Sequence, residues 1–304
     1  METIVVRVIG FIAIIALGFI ARTAGLLKRE DAHILSNIVM NVTLPCALVS
    51  GMNGAAVDAT VLVAFAMGFA ANLALIFTAR LRARRQDAKD AACEMLNTGG
   101  YNVGNFAIPF AASFFPASGL PFLCMFDAGN SIMCLGGTYS IVRGGMKSGR
   151  HVSARDFLRT LLSAVAFDTY MVLLALAFAG IVLPAPVVEV AGMIGGANSF
   201  LVMFMLGVLL DIHIDMTRLH AIARILTTRY GLSILFAVLV LVAAPLPLIG
   251  RQMVAVALCS PLSNMNAVFS AELGLDDKIP AAVATLSILI STALMSAAVV
   301  QFAA

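Results

Sequence analysis

Two stretches gather amides, glycines and prolines inside otherwise apolar sequence. The first runs Asn97-Thr98-Gly99-Gly100-Tyr101-Asn102-Val103-Gly104-Asn105-Phe106-Ala107-Ile108-Pro109; the second runs Ser260-Pro261-Leu262-Ser263-Asn264-Met265-Asn266. Glycine permits unusual backbone angles and proline removes a helix donor, so both stretches read as interruptions of helices. Freed backbone N–H groups and half-helix N-termini bind anions, and neighbouring amides add donors and acceptors. The candidate substrate ligands are therefore Asn102, Gly104, Asn105 and Pro109 from one stretch, and Pro261, Ser263, Asn264 and Asn266 from the other. For one such stretch alone, kinking and small-residue packing is the better account. A matched pair rich in amides favours a site.

Two carboxylates fall inside predicted membrane segments: Asp127, with Asn130 one turn further on the same face, and Asp168. An ionised Asp there costs about 2.5–3.5 kcal/mol on insertion scales, so such a group faces a cavity and a partner. It either takes up a proton or holds a cation. Asp127, Asn130 and Asp168 are thus the candidates for a coupling ion, Na+ or H+, although capping explains Asp168 equally well. Asn72 and Asn198 read as inter-helix polar contacts, and Glu94 and Glu272 as helix-end residues, solvated or paired to a loop arginine. The five cysteines show no metal or redox spacing and read, like the sixteen methionines, as soft packing. The run Asp211-Ile212-His213-Ile214-Asp215 reads as a solvated turn. No metal or cofactor is expected.

The elements that must position these residues follow from composition. The chain has 304 residues, 61% hydrophobic and 12% charged, with a mean hydropathy of +1.01. Those values exclude an ordinary soluble domain and indicate a membrane protein. Hydrophobic runs place helices near 3–21, 32–51, 56–79, 91–113, 118–142, 157–182, 187–210, 219–246, 252–271 and 279–302. The first of these, with Arg7 its one basic residue, reads as a retained helix rather than a signal peptide. On this count all 19 basic residues except Arg7 and Arg251 fall at one end of the bundle. The positive-inside rule makes that end cytoplasmic and both termini extracytoplasmic, in a multi-pass protein of the cell membrane. Five helices on each side of the polar link 143–156 define two inverted repeats, 1–150 and 151–304, within a single transport unit. The fold class is all-α integral membrane, with ten transmembrane helices and broken, crossing helices four and nine. Basic loops bind anionic lipid headgroups without any nucleic-acid role. No basic residue is predicted at the membrane midplane.

The segment Asn102-x-Gly104-x-x-x-x-Pro109, with Asn105-Phe106 inside it, resembles the crossover motif of the auxin efflux carrier family. Asn41-Val42-Thr43-Leu44-Pro45-Cys46-Ala47-Leu48 resembles that family's Val-Thr-Leu-Pro-x-Leu segment, with Pro45 on a scaffold helix. The stretch from Pro261 to Asp276 is similar to its ninth helix and the loop after it. The chain departs from the pattern at Ala107, Phe200 and Phe167-Asp168. The resemblance implies a ten-helix inverted repeat related in fold to bile acid:sodium symporters. It also implies a mobile unit of helices three to five and eight to ten, and carriage of organic anions such as auxin, malonate or malate.

The reading is a secondary active transporter, a symporter if ion-coupled, of a mono- or dicarboxylate. A homodimer is compatible with it, without a residue pattern that specifies one. A cation/proton antiporter of the same architecture is the alternative, although helices four and nine carry no carboxylate at mid-segment. An intramembrane aspartyl protease built on Asp127 and Asp168 ranks lower, because its Gly-x-Gly-Asp context is missing.

Overall fold

A run such as Val61–Ala83 has no proline and carries its arginines only in its last turn. In an apolar medium it can satisfy its backbone only as one uninterrupted helix. The computed structural model of the chain describes residues 2–55, 57–146, 155, 159, 162, 164–210, 216–276 and 278–303. These residues are predominantly helical, and no strand occurs among them. Six stretches are long and apolar enough to cross a membrane: Val5–Thr23, Arg29–Met52, Val61–Ala83, Ala185–Leu209, Leu219–Ala243 and Lys278–Phe302. This is the make-up of an α-helical multi-pass membrane protein.

In chain order, α1 (Glu2–Thr23) is followed by α2 (Ala32–Ile38), α3 (Leu44–Met52) and α4 (Val61–Ala83). The first interrupted segment is α5 (Ala88–Thr98) and α6 (Ile108–Phe114); α7 (Leu120–Ile132) and α8 (Thr138–Met146) come next. Then come α9 (Val165–Phe178), α10 (Ala185–Gly195), α11 (Asn198–Leu209) and α12 (Leu219–Ala243). The second interrupted segment is α13 (Leu248–Leu258) and α14 (Met265–Glu272), and α15 (Lys278–Ala303) ends the chain. Most of the polar link 143–156, with His151, lies outside the described residues, as does the run Asp211–Asp215 with His213.

Proline shapes these helices without breaking them. Pro45, Pro109 and Pro121 each stand near the start of a helix, where the missing N–H costs little. Before Pro45 and Pro109 the chain widens into single π turns, Val39–Thr43 and Val103–Ala107, which absorb the ring's clash with the preceding turn. Pro109 therefore continues a half-helix running Val103–Phe114, and the interruption lies upstream at Gly99–Asn102. That corrects the expectation that Pro109 makes the break. Gly99 is extended and Gly100 takes φ +84°, angles that end α5 where a proline further along the chain cannot.

Helices meet most closely through paired glycines. A Cβ on Gly68 would fall 2.1 Å from the Phe126 carbonyl oxygen, and one on Gly129 2.0 Å from that of Phe65, so α4 and α7 touch backbone to backbone. Gly18 and Gly207 repeat the arrangement between α1 and α11. Two buried apolar clusters result. One surrounds Leu44, Phe106, Phe110, Phe126 and Leu206; the other surrounds Leu96, Tyr139, Ile225 and Val283. Large apolar side chains such as Val6, Leu81, Met193 and Val242 point outward, as a lipid-facing surface requires.

Candidate functional site

The two interruptions cross. Tyr101 and Leu262 form an isolated antiparallel bridge in which Asn102 N donates to Pro261 O (2.9 Å) and Ser263 N to Gly100 O (3.3 Å). Four helix ends therefore converge: the C-termini of α5 and α13, and the N-termini at Val103 and Met265. Backbone here is outside any helix, so each donor and acceptor needs a partner from elsewhere.

Side chains from α4, α7, α12, α14 and α15 supply those partners. Asn72 Oδ1 accepts from Gly100 N (2.7 Å). Asn130 Oδ1 accepts from Tyr101 N (3.0 Å), while its Nδ2 donates to Tyr101 O (2.8 Å) and to Asp127 Oδ1 (3.0 Å). Ser287 Oγ accepts from Leu262 N (3.0 Å). Asn266 Nδ2 donates to both Leu96 O and Gly99 O (2.7 Å each), closing the end of α5. A Cβ on Gly100 would sit 3.0 Å from Asn266 Oδ1 and 3.1 Å from Ser263 Cβ, so the crossing admits only glycine there.

At the centre lies Arg229, which the sequence reading assigned to a loop. It sits ten residues into α12, about 15 Å along the axis from Leu219, and is fully buried. Its Nη1 donates to Thr98 O (2.9 Å) and its Nη2 to Ser260 O (3.1 Å) and Pro261 O (3.0 Å). The guanidinium carbon lies 4.7 Å from the Tyr101 ring centroid, and the Tyr101 hydroxyl meets Ser233 Oγ at 2.9 Å. The expectation that no basic residue lies at the midplane is corrected: a buried arginine stands at the crossing. A helix C-terminus carries roughly half a negative charge, so one guanidinium balances the two that meet here. Its Nη donors are used on carbonyls, which makes it a clamp on the crossing rather than a ligand. The signal in sequence was a lone arginine deep in the apolar segment 219–246; counting it with the loop arginines concealed it.

No protein-family model matches the sequence, and no curated protein matches it either.

At the two N-terminal ends neither Asn102 nor Asn264 caps the helix it precedes, and Ser263 Oγ accepts from Met265 N at 3.4 Å. Beside the first, Asp127 Oδ2 lies 3.3 Å from where a Cβ on Gly104 would be, and the Asn105 Oδ1 atom is buried with no partner. The second faces a cavity of about 470 Å³ whose wall includes Leu262, Ser263, Asn264, Ser36 and Thr285, with Arg29, Glu30 and His33 also lining it. The Asn264 side chain is exposed, with no hydrogen-bond partner among the described residues. This cavity is within the size range of small-molecule sites.

The expected site residues thus divide. Asn102, Gly104, Asn105, Asp127, Asn130, Pro261, Ser263 and Asn266 gather at the crossing, and Ser263 and Asn264 also reach the cavity. Pro109 lies further along, its carbonyl accepting from Ser113 Oγ (3.1 Å) and Ser199 Oγ (3.2 Å). Pro45 belongs to the packing of α3 against α10, where Gly195 meets the Ala47 backbone, and next to it Thr43 Oγ1 donates to Asn198 Oδ1 (2.8 Å). Asp168 stands apart. Ala164 is extended, α9 begins at Val165, and Asp168 occupies that first turn half-buried, where its charge suits the helix N-terminus. Asn72, Ser287 and Arg229 are the crossing residues that motif reading left out; Asn72 had been read as a plain inter-helix contact.

Proposed function

We propose that this protein is a secondary carrier that moves a small organic anion, a mono- or dicarboxylate, by alternating access around the crossing of its two interrupted helices. The observation that carries the reading is a half-helix N-terminus at Asn264, without a charged cap, opening on the 470 Å³ cavity beside a crossing clamped by buried Arg229. Unwound backbone in a membrane protein is tolerated where it lines a cavity, and half-helix N-termini there favour anions. Asp127 and the unpartnered Asn105 oxygen supply the acceptors for a coupling Na+ or H+ at the other N-terminus. Transport, not catalysis, is the activity in this reading.

The crossing also supports ten spans arranged as inverted repeats 1–150 and 151–304. The bridged residues Tyr101 and Leu262 are held alike, each by a side-chain oxygen from a helix that follows its own interrupted segment: Asn130 in the one half and Ser287 in the other. In that topology both termini lie outside the cell membrane. The basic residues expected at the outer end bind helix C-terminal carbonyls, Arg7 to Ser113 O and Arg251 to Leu241 O. A cation/proton antiporter is disfavoured because Asp127 is the one carboxylate at the crossing among the described residues. An aspartyl protease needs paired acids, and no contact joins Asp127 to Asp168.

Uptake of a radiolabelled carboxylate panel, malonate and malate included, into proteoliposomes tests the reading, with sodium, proton and voltage gradients imposed separately. Saturable flux that Asn105→Ala and Asp127→Asn abolish in folded protein is the expected result. Cation exchange without carboxylate flux overturns the substrate class.

A further inference from the structure

Away from the crossing, the short side chains of α4 leave a trough where that helix meets α12 and α13. It is a groove of about 270 Å³ with Met67, Ala70, Ala74, Phe236, Leu239 and Leu258 in its wall. The wall offers no polar side chain, so the groove suits neither water nor a polar ligand. Ala70 and Leu239 are exposed, and the groove therefore opens on the outer surface of the bundle. We propose that it holds one acyl chain of an anionic phospholipid whose phosphate is bound by Arg80 and Arg84 at the end of α4.

Spacing joins the two parts. Ala70, Ala74, Phe77, Leu81 and Arg84 follow one another at alternating steps of four and three residues, so they form one stripe along α4 with Arg80 beside it. Phe77 and Leu81 are 55% and 66% exposed, which carries the apolar surface from the groove up to the arginines. From Ala74 to Arg84 the helix rises about 15 Å. A bilayer's hydrocarbon is about 30 Å thick, so a chain from one leaflet covers that distance.

Charge identifies the headgroup. The side chains of Arg80, Arg82, Arg84, Arg85 and Lys89 are exposed and make no ion pair or hydrogen bond among the described residues. The acids of the same turn are Asp87 and Asp90, and Asp87 is occupied in capping α5, accepting from Asp90 N (2.8 Å). The C-terminus of α4 offsets roughly half of one further charge, and the turn remains positive. A phosphate can take paired N–H donors from a guanidinium, and basic residues at the end of a membrane helix attract anionic lipid. A solvated turn would account for the arginines alone, and bulk lipid for the groove alone. Their alignment on one stripe, one chain length apart, selects a molecule that has both parts. Such a lipid would brace α4 against α12, the helix that carries Arg229. The proposal does not depend on the carrier reading, because lipid retention is measured without flux.

The test is native mass spectrometry of the purified full chain in detergent, with phosphatidylglycerol or phosphatidylcholine of identical acyl chains added. Wild type should retain one phosphatidylglycerol at a concentration about fivefold or more below that needed for phosphatidylcholine, and free glycerol 3-phosphate should not displace it. The double variant Arg80→Gln/Arg84→Gln should lose this preference. Ala70→Phe, which fills the groove from an exposed position, should weaken retention of phosphatidylglycerol while the melting temperature holds. Arg22→Gln/Lys28→Gln removes the same charge elsewhere and should leave the preference unchanged. Equal retention of the two lipids, displacement by glycerol 3-phosphate, an intact preference without Arg80 and Arg84, wild-type retention in Ala70→Phe, or an equal loss in Arg22→Gln/Lys28→Gln would each overturn the assignment.

Discussion

Replacing Arg229 with methionine should lower the protein's stability measurably. The guanidinium donates to three buried carbonyls, Thr98, Ser260 and Pro261. Pro261 O keeps Asn102 N as a donor, so the acceptors stranded are Thr98 O and Ser260 O, at about 1–3 kcal/mol each or roughly 2–6 kcal/mol together. Against this, a methionine is far cheaper to bury than a cation that has no carboxylate partner, which returns several kcal/mol. A net loss of about 1–3 kcal/mol follows, against the ~5–15 kcal/mol that folded proteins have. Arg229→Lys separates charge from geometry. An ammonium keeps the positive charge between the helix ends but cannot span three carbonyls from a planar fork, so about half of the loss should remain. Melting of the purified protein in detergent, followed by size-exclusion chromatography, measures both. The expected order of stability is wild type, Arg229→Lys, Arg229→Met. An Arg229→Met protein that melts with wild type would refute the clamp and the charge argument built on it.

Gly68→Leu should abolish the α4–α7 contact, since its first side-chain carbon already collides with the Phe126 carbonyl; loss of monodisperse protein on chromatography checks it. Ser287→Ala should lower stability by about 1–3 kcal/mol by leaving Leu262 N–H without its acceptor, and Asn130→Ala by more, because it removes three bonds at once. Thermal melts of the two variants in parallel test whether the crossing is held alike from both sides. Asn264→Ala and Asn266→Ala should part company: the first should melt within about 0.5 kcal/mol of wild type and raise the KM of flux, the second should melt early because Leu96 O and Gly99 O lose their donor. Equal melting temperatures would contradict the division of labour between them.

The spans were readable because apolar length is a local property: Val61–Ala83 and Leu219–Ala243 need nothing beyond their own sequence. The two interruptions were readable too, as polar residues in apolar runs. What produced each interruption was not. Pro109 is the conspicuous breaker in its segment, yet a π turn absorbs it and the Gly99–Gly100 pair ends the helix. Arg229 escaped because nearby arginines in sequence, Arg218 and Arg224, do serve the bundle's end, and only the turn-by-turn rise of α12 carries the third to its centre. Asp168 misled in the opposite sense. Its depth was judged from an apolar run, whereas the extended backbone at Ala164 starts a helix at Val165 and leaves the carboxylate in that helix's first turn.

The crossing distributes charge unevenly, and the unevenness bears on which ligand goes where. Both C-terminal ends are answered: Arg229 supplies a full positive charge against roughly half a negative charge from each. Both N-terminal ends keep their roughly half positive charge, because neither has a charged cap. Only one of them has an acid at the crossing itself; Glu30, in the wall of the other's cavity, stands there with Arg29 and His33. An ionised Asp127 next to Gly104 outweighs the end at Val103, so that side favours a cation or proton, and the end at Asn264 remains positive and open to the cavity. Under the carrier reading, an anion and its coupling cation then bind at opposite N-termini of one hydrogen-bonded crossing. Each lowers the field that opposes the other, and the Tyr101–Leu262 bridge makes their sites move as a unit.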